Sequence, residues 1–187
     1  MPGSLLKLLL TKTLIMDNPD CIASLVEALN NADLKQFPSI LKNMNIDTSV
    51  FEDHATWDTQ DYTRNCIERN DRYELLLLCW NPGNVTPIHS HGGQKCWVYQ
   101  IAGELSEQRF INTENGPTET HRQVLKPHNL TYMDDRMGFH VLQNNSKERS
   151  MSLHVYAHPI DKCKVFNDQT KDFEVKKLKY DQVLEHI

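Results

Sequence analysis

The sequence has no excess of positive charge and no long uninterrupted apolar segment. Lysine and arginine number 20 against 25 aspartates and glutamates, giving a net charge of -5, so no field attracts nucleic acid or an anionic membrane. The most apolar stretch, residues 4–16, is interrupted by Lys7 and Lys12 and is not followed by a small-residue cleavage site, so we interpret it as mature structure. We expect a cytoplasmic protein without a nucleic-acid or membrane partner.

The sequence also lacks a CxxC motif and an even set of cysteines. The five cysteines are scattered along the chain, at Cys21, Cys66, Cys79, Cys96 and Cys163. This pattern argues against a disulfide framework and against a zinc site built from paired thiolates. We expect the four other than Cys96 to be buried as small apolar side chains.

No internal repeat, low-complexity tract or linker divides the chain. Its length of 187 residues is suited to one domain with a substantial core. We therefore predict a single domain over 1–187, with a helical N-terminal layer at 1–58 and a β-barrel at 59–187, and we expect a monomer.

The first third of the chain has helical periodicity. Residues 18–20, Asn-Pro-Asp, predict a helix start with proline at the first helical position. The apolar face of this helix recurs with the spacing i, i+3, i+4 and i+7, at Ile22, Leu25, Val26 and Leu29. A second helix is predicted from Phe37, Ile40, Leu41 and Met44, and a third covers about 47–57.

From about residue 62 the pattern changes to short apolar runs separated by turn residues. The predicted strands are YTRNCIER, RYELLLLCW, CWVYQIA, ELSEQRFI, RQVLKP, GFHVLQ and, as the last clear one, SMSLHVYA. Short strands at this spacing predict an antiparallel sandwich or barrel instead of alternating βαβ units.

Two histidines, His89 and His91, stand in the apolar stretch PIHSHGGQKCWVYQIAG. On a strand, side chains two residues apart project from the same face, so this pair predicts a bidentate site for a divalent metal. Gly83 precedes the pair and Gly103 follows it, with the spacing of the first cupin motif, in which Cys96 replaces the usual acid.

A third histidine completes the predicted site. GFHVLQN contains His140 followed by Asn144, which resembles the second cupin motif, although DDRMG replaces its usual Pro-x-Gly. Three neutral imidazoles leave a divalent metal with its full charge and with open positions, so an anionic ligand is attracted. Imidazole suits zinc, copper, iron and nickel alike, and does not select the metal.

Five segments together resemble cysteine dioxygenase of the animal and fungal type. They are YTRN at 62–65, HSHGGQKCWV at 89–98, GFHVLQN at 138–144, SLHVY at 152–156 and the segment around Cys163. The resemblance implies a mainly β protein, a cupin-type antiparallel barrel (jelly roll) with short N-terminal helices. It also implies Fe(II) as cofactor and addition of both atoms of O2 to the sulfur of L-cysteine, giving cysteine sulfinic acid in cysteine catabolism and taurine biosynthesis.

The same resemblance implies the residue roles. The metal ligands are His89, His91 and His140. Arg64, supported by Tyr62, binds the substrate carboxylate. A hydrogen-bonded chain consists of Ser152, His154 and Tyr156, and Cys96 forms a thioether with the ring of Tyr156. The residues agree with this implication, because 152, 154 and 156 alternate on one face of a strand, where they can hold the tyrosine hydroxyl and its proton.

Other interpretations remain open at this point. A dioxygenase for 3-mercaptopropionate also fits Arg64, whereas cysteamine has no carboxylate and is disfavoured. A cupin that only binds metal, or a zinc isomerase or lyase, is a further alternative. Trp80 is interpreted as core packing, and the C-terminal stretch FEVKKLKYDQ matches the family too loosely for its residues to be assigned a role.

Overall fold

The computed structural model describes residues 18–184, and the apolar stretch 4–16 lies outside them. Among these residues, no helix is both long enough and apolar enough to cross a membrane. Three α-helices come first: α1, Ile22–Asn31; α2, Phe37–Asn43; and α3, Thr48–Glu52. Helix α3 ends five residues before the predicted boundary.

Helix α1 does not begin at the predicted proline. Its N-cap is Cys21, whose sulfur accepts a hydrogen bond from the Ser24 amide, while the Ser24 hydroxyl accepts one from the Cys21 amide. This reciprocal cap satisfies amides that the first helical turn leaves free, so the helix begins at Ile22 and Pro19 lies before it. Cys21 is consequently exposed, contrary to expectation, whereas Cys66, Cys79 and Cys163 are buried as predicted.

The strands of the described region follow the helices. They are β1, Thr63–Arg69; β2, Tyr73–Trp80; β3, Lys95–Ala102; β4, Leu105–Thr113; β5, Gly116–Leu125; β6, Leu130–Met133; β7, Phe139–Gln143; β8, Ser150–Ala157; β9, Lys162–Asn167; β10, Asp172–Lys177; and β11, Gln182–Val183. A six-stranded sheet has the order β11-β1-β2-β8-β3-β6, and smaller sheets have the orders β5-β4-β7 and β10-β9. All pairs are antiparallel except β11 with β1.

The strand pattern departs from prediction in three places, the first of which is β6, Leu130–Met133, a strand that was not predicted. Strand β5 begins at Gly116, before the predicted RQVLKP run, because its exposed polar residues pair with β4. Strands β9, β10 and β11 follow the run SMSLHVYA, which was predicted to be the last clear strand. Their residues are mostly exposed, so they carry little of the apolar alternation that marks a strand in sequence.

The large sheet has two covered faces, which explains why β2 is apolar throughout. Leu75 and Leu77 belong to the core beneath the helices, whereas Leu76 and Leu78 belong to the core on the opposite side. Successive strand side chains point to opposite faces, so one strand supplies both cores. The architecture is a mainly β, cupin-type jelly roll with an N-terminal layer of short α-helices.

Two adjacent glycines after His91, Gly92 and Gly93, allow a pair of matched substitutions that test how tightly this loop packs. Both glycines have positive φ, 61° at Gly92 and 87° at Gly93. A Cβ atom at Gly92 would lie 2.5 Å from the Lys162 carbonyl oxygen, whereas a Cβ atom at Gly93 would meet nothing within 4 Å. We expect Gly93→Ala to lower the free energy of unfolding by about 1–2 kcal/mol, and Gly92→Ala by about 2–5 kcal/mol because overpacking adds to the backbone cost.

Urea denaturation of the metal-free variants measures this difference. Gly93→Ala is the control, since it changes the same residue type with a similar backbone conformation. Equal losses in the two variants would show that the close approach to Lys162 does not restrict this loop.

Candidate metal centre and substrate cavity

The three predicted histidines converge in the structure. His140 lies on β7, and one ligand atom from each of the three lies within 4.8 Å of the others. The Nε2 atoms of His89 and His140 are 3.2 Å apart. Two nitrogens bound at about 2.1 Å and at a right angle on one ion would be separated by about 3 Å, so the arrangement fits a divalent metal.

His89 and His91 reach this position in a different way from the one predicted. They lie in the connection between β2 and β3 and not on a regular strand. His89 forms isolated bridges to His140 and Val165, and its amide and carbonyl exchange 3.0 Å hydrogen bonds with those of His140. The rings of His89 and His91 still face together, with centroids 5.5 Å apart. Pairing with β7 and β9, and not strand alternation alone, therefore orients the pair.

The backbone at His91 is held by a residue that the sequence did not single out. The two carboxylate oxygens of Asp135 accept from the amides of His91 at 2.6 Å and Gly93 at 2.7 Å. Asp135 precedes His140 by five residues, so it links the two segments that carry the histidines. Nothing in the sequence pattern marks this contact, because the partners are 44 residues apart.

The surroundings of His89 and His91 favour neutral imidazoles. His91 is 1% exposed, and burial lowers its pKa well below the ordinary value; repulsion by the rings of His140 and His89, whenever these are protonated, adds to the effect. The Nδ1 atom of His89 faces the Pro87 carbonyl at 3.0 Å, and that of His140 faces the Glu107 carboxylate at 3.0 Å. Both contacts turn Nε2 toward the centre, as a metal ligand requires.

Glu107 is a second residue that sequence reasoning missed. It lies on β4, fully buried, and nothing in the ELSEQRFI pattern distinguishes it from other polar residues of that strand. Burial alone would raise its pKa, but hydrogen bonds from His140 and Gln123 and the charge of Arg109 together lower it to about 2. The carboxylate is therefore an anion beside the metal centre.

Arg64 and Tyr62 lie in the wall of a cavity next to the histidines. The cavity has a volume of about 410 Å³ and is also lined by His89, His154 and Tyr156. Arg64 is 8% exposed, and its Nη2 atom has no hydrogen-bond partner among the described residues. The ring of Tyr62 stacks on Trp80 with centroids 4.7 Å apart. A buried guanidinium with a free donor is suited to binding a carboxylate.

The Ser152, His154 and Tyr156 side chains share one face of β8, as predicted, and all three are buried. The Ser152 hydroxyl lies 3.0 Å from Nε2 of His154 and accepts a 3.0 Å hydrogen bond from the Trp80 indole. The rings of His154 and Tyr156 are 6.4 Å apart. Hydrogen bonds therefore connect Trp80, Ser152 and His154, so that Trp80 has a polar role beyond core packing. The predicted chain stops there, because no hydrogen bond of the described residues joins His154 to Tyr156.

Cys96 lies directly opposite Tyr156. The two residues are register partners on β3 and β8, and they are 0% and 6% exposed. Burial raises the pKa of both side chains, and for Tyr156 the adjacent Cys96 adds to the effect. The cysteine at the acid position of the cupin motif thus faces the predicted partner of its thioether.

The C-terminal stretch also reaches the cavity, although sequence reasoning assigned it no role. Residues 176–179 line the wall, and Asp181 pairs with the backbone of Arg64. The Asp181 carboxylate accepts from the Arg64 amide at 2.8 Å, and its own amide donates to the Arg64 carbonyl at 2.9 Å. The ring of Tyr180 lies under the Arg64 guanidinium, 5.9 Å from centroid to Cζ.

Comparison with known proteins identifies relatives of this chain. The family model described as "Cysteine dioxygenase type I" matches residues 14–169. Human cysteine dioxygenase type 1 is 28% identical over 163 residues, covering 81% of this chain and 82% of the human protein, and the Bos taurus protein is 26% identical with the same coverage. Among solved structures, TT1209 from Thermus thermophilus is 20% identical with a TM-score of 0.49, covering 58% of this chain and 95% of its own.

The family match includes every residue of the cavity discussed above except those of the C-terminal stretch. It spans most of the chain and contains the three converging histidines. The chain therefore belongs to the cysteine dioxygenase type I family, and is a dioxygenase of the cupin superfamily with a three-histidine metal site.

Proposed function

We propose that this protein is an Fe(II)-dependent cysteine dioxygenase, which adds both atoms of O2 to the sulfur of L-cysteine to give cysteine sulfinic acid. The observation that carries the proposal is the convergence of three histidines beside a cavity whose wall contains Arg64, a buried arginine with an Nη2 atom that has no partner among the described residues. The first feature suits a metal that binds a thiolate, and the second suits the carboxylate of the same amino acid.

Arg64 supports an amino acid with a free carboxylate. A buried charged group without a partner is energetically unfavourable, so a ligand that supplies an anion gains from pairing with it. The planar guanidinium can bind a carboxylate through two parallel hydrogen bonds. Tyr62, two residues earlier and stacked on Trp80, would limit the space beside that carboxylate.

His89, His91 and His140 would hold the ferrous ion. When bound, that ion supplies the redox chemistry that activates O2, and its positive charge attracts the substrate thiolate and amine. Both oxygen atoms of O2 end on the sulfur, so the overall reaction needs no external reductant.

Tyr156 would act through its hydroxyl group. Burial raises its pKa well above the ordinary value, so the phenol keeps its proton and can donate a hydrogen bond within the cavity. The series Trp80, Ser152 and His154 restrains the neighbouring face of β8. We propose that this series holds the tyrosine in place while the substrate is oxidised.

The alternatives differ in the groups that they offer to this cavity. 3-Mercaptopropionate has the carboxylate for Arg64 but no amine for the metal, and cysteamine has the amine but no carboxylate. L-Cysteine has both and is preferred for that reason. Membership of a dioxygenase family disfavours a cupin that only binds metal and a zinc isomerase or lyase.

We place the reaction in the cytoplasm, as a step of cysteine catabolism that supplies taurine biosynthesis, and we propose that the protein acts as a monomer. The cysteines of the described region are unpaired, which agrees with a reducing compartment.

Anaerobic purification with metal analysis, followed by O2 uptake with L-cysteine, tests the proposal. We expect bound iron, thiol-dependent O2 consumption and cysteine sulfinic acid as the product. Zinc occupancy combined with no thiol-dependent uptake would contradict it. Faster uptake with 3-mercaptopropionate than with L-cysteine would transfer the assignment to that substrate.

A thioether between Cys96 and Tyr156 is expected to form during turnover. Formation of the bond replaces the sulfur–hydrogen bond and one ring carbon–hydrogen bond by a sulfur–carbon bond, and O2 accepts the two electrons and two protons. The linked chain should run as a second, faster band on a denaturing gel. Cys96→Ser should give one band and retain reduced activity, because the link positions Tyr156 and does not bind the metal.

Cys163→Ser is the control for this prediction. Cys163 is a buried cysteine in the cavity wall to which Tyr156 also belongs, but it is not the register partner of Tyr156, so the variant should keep both bands. Peptide mapping of turned-over enzyme that finds only free Cys96 and free Tyr156 would rule out the cross-link.

A further inference from the structure

Glu107 is the centre of a buried polar cluster behind the metal site. It lies on β4, opposite Gln123 of β5 and Leu142 of β7, and is fully buried. Three side chains donate to its carboxylate, from Thr131, Gln123 and Arg109, and a fourth, that of His140, lies within hydrogen-bonding distance. Burial of an ionised carboxylate inside a protein is costly, and these hydrogen bonds offset that cost.

The two carboxylate oxygens have separate partners. Oε1 faces Nδ1 of His140 at 3.0 Å. Oε2 accepts from Thr131 at 2.9 Å and from Arg109 at 3.2 Å, together with the amide of Gln123. One oxygen is therefore devoted to the histidine, and the other is anchored by the surrounding strands.

This division determines which nitrogen of His140 carries the proton. Thr131, Gln123 and the Arg109 guanidinium all donate to Oε2, an arrangement that holds Glu107 as a carboxylate. A carboxylate can only accept hydrogen bonds, so Nδ1 of His140 is the donor. Nε2 then keeps its lone pair, and it is this atom that lies 3.2 Å from Nε2 of His89. Glu107 thus prepares His140 as a metal ligand before any metal binds.

The same contact supplies negative charge to a site whose ligand set has none. Three imidazoles are neutral ligands, and Cys96 replaces the acid of the cupin motif. His89 has only a backbone carbonyl at Nδ1, and Nδ1 of His91 has no partner among the described residues. His140 is therefore the ligand through which a carboxylate can act on the metal, one hydrogen bond away.

We propose that Glu107 is a positioning residue that fixes the tautomer of His140 and lowers the midpoint potential of the bound metal through its negative charge. This inference rests on the proposed function, because it takes the three histidines as the ligands of iron. Through Glu107, strand β4 would influence the midpoint potential of the metal, whereas Arg64 on β1 would bind the substrate.

Glu107→Gln tests this inference, since it keeps the shape and removes the charge. If the oxygen of the introduced glutamine faces His140, the NH2 group of that glutamine points at the guanidinium of Arg109. Two hydrogen-bond donors then face each other. If the amide group faces His140 instead, the imidazole must carry its proton on Nε2 and cannot bind the metal. Either orientation weakens the site, and we expect Fe(II) affinity to fall about 10- to 100-fold.

The midpoint potential provides a readout that a purely structural role would not predict. Loss of a negative charge disfavours Fe(III) relative to Fe(II), so Glu107→Gln should raise the potential. Arg109→Gln removes the opposing positive charge but leaves the Glu107–His140 contact in place, so it should lower the potential. Opposite shifts from two variants of one cluster would identify the effect as electrostatic.

Anaerobic Fe(II) titration against a competing chelator, followed by redox titration, measures both quantities. Glu74→Gln is the matched control, because Glu74 is a fully buried glutamate of the large sheet and makes no contact with the three histidines; it should keep wild-type affinity. Circular dichroism and urea denaturation establish that each variant is folded, and Arg109→Gln carries the redox test if Glu107→Gln does not fold.

Wild-type affinity and potential in folded Glu107→Gln would overturn the inference, as would shifts of the same sign in both cluster variants. A wild-type protein that does not bind Fe(II) would overturn it together with the proposed function. If wild type binds Fe(II) and the variants shift as expected, but no thiol is oxidised, the inference stands and the proposed function fails.

Discussion

Arg64→Ala is expected to lose most of its activity toward L-cysteine while it keeps its metal. Removal of one partner from a buried, hydrogen-bonded charge pair costs about 3–5 kcal/mol. In kcat/KM this corresponds to a loss of about a hundred- to several-thousand-fold. The metal should be retained, because Arg64 lies on β1 and is not among the converging histidines.

Substrate comparison separates the carboxylate contact from a general defect. Cysteamine lacks the carboxylate, so it should be a poor substrate for wild type, and its rate should change little in Arg64→Ala. Arg122→Ala is the control, because Arg122 is exposed on β5 and pairs with Glu119, and it should leave L-cysteine oxidation unchanged. If Arg64→Ala used L-cysteine as well as wild type does, the carboxylate assignment would be wrong.

Alanine at His89, His91 or His140 should abolish iron retention and reduce O2 uptake to background, with the fold preserved. Each imidazole would supply one of only three protein ligands, so a two-histidine site should not retain iron through purification. The backbone hydrogen bonds between His89 and His140 do not involve the side chains, which is why the surrounding strands should remain paired.

Metal analysis, oxygen-electrode assays and circular dichroism measure these three properties. His121→Ala is the control, because His121 is exposed on β5 and should keep full iron and activity. A variant of the three that retained full iron and full activity would remove that histidine from the proposed ligand set.

Local periodicity accounts for what was predicted well. The alternation of Ser152, His154 and Tyr156 on one face follows from the two-residue repeat of a strand, and β8 has the bounds expected from SMSLHVYA. The apolar face of α1 likewise follows from the helical repeat, with Ile22, Leu25 and Leu29 buried. Such patterns depend on neighbours in the chain, so they can be read without knowing the fold.

Local cues that compete with one another were harder to interpret. Asn18-Pro19-Asp20 was a plausible helix start, but the cap formed by Cys21 and Ser24 began the helix later. His89 and His91 were assigned to a strand by their alternation, yet they lie in a connection that is oriented by bridges to β7 and β9. The convergence was predicted correctly, although its structural cause was different.

By itself, the sequence determined the mainly β architecture after an N-terminal helical layer, the candidate ligand histidines, and the resemblance to cysteine dioxygenase. Only the tertiary structure decided that Glu107 contacts His140, that Asp135 holds the backbone of His91, and that Asp181 pairs with Arg64 across 117 residues. Side-chain periodicity is a property of adjacent residues, whereas these contacts depend on which strands and loops meet and in which register. The local sequence of a strand does not show which residue a polar side chain will contact, because that contact depends on how the sheets assemble.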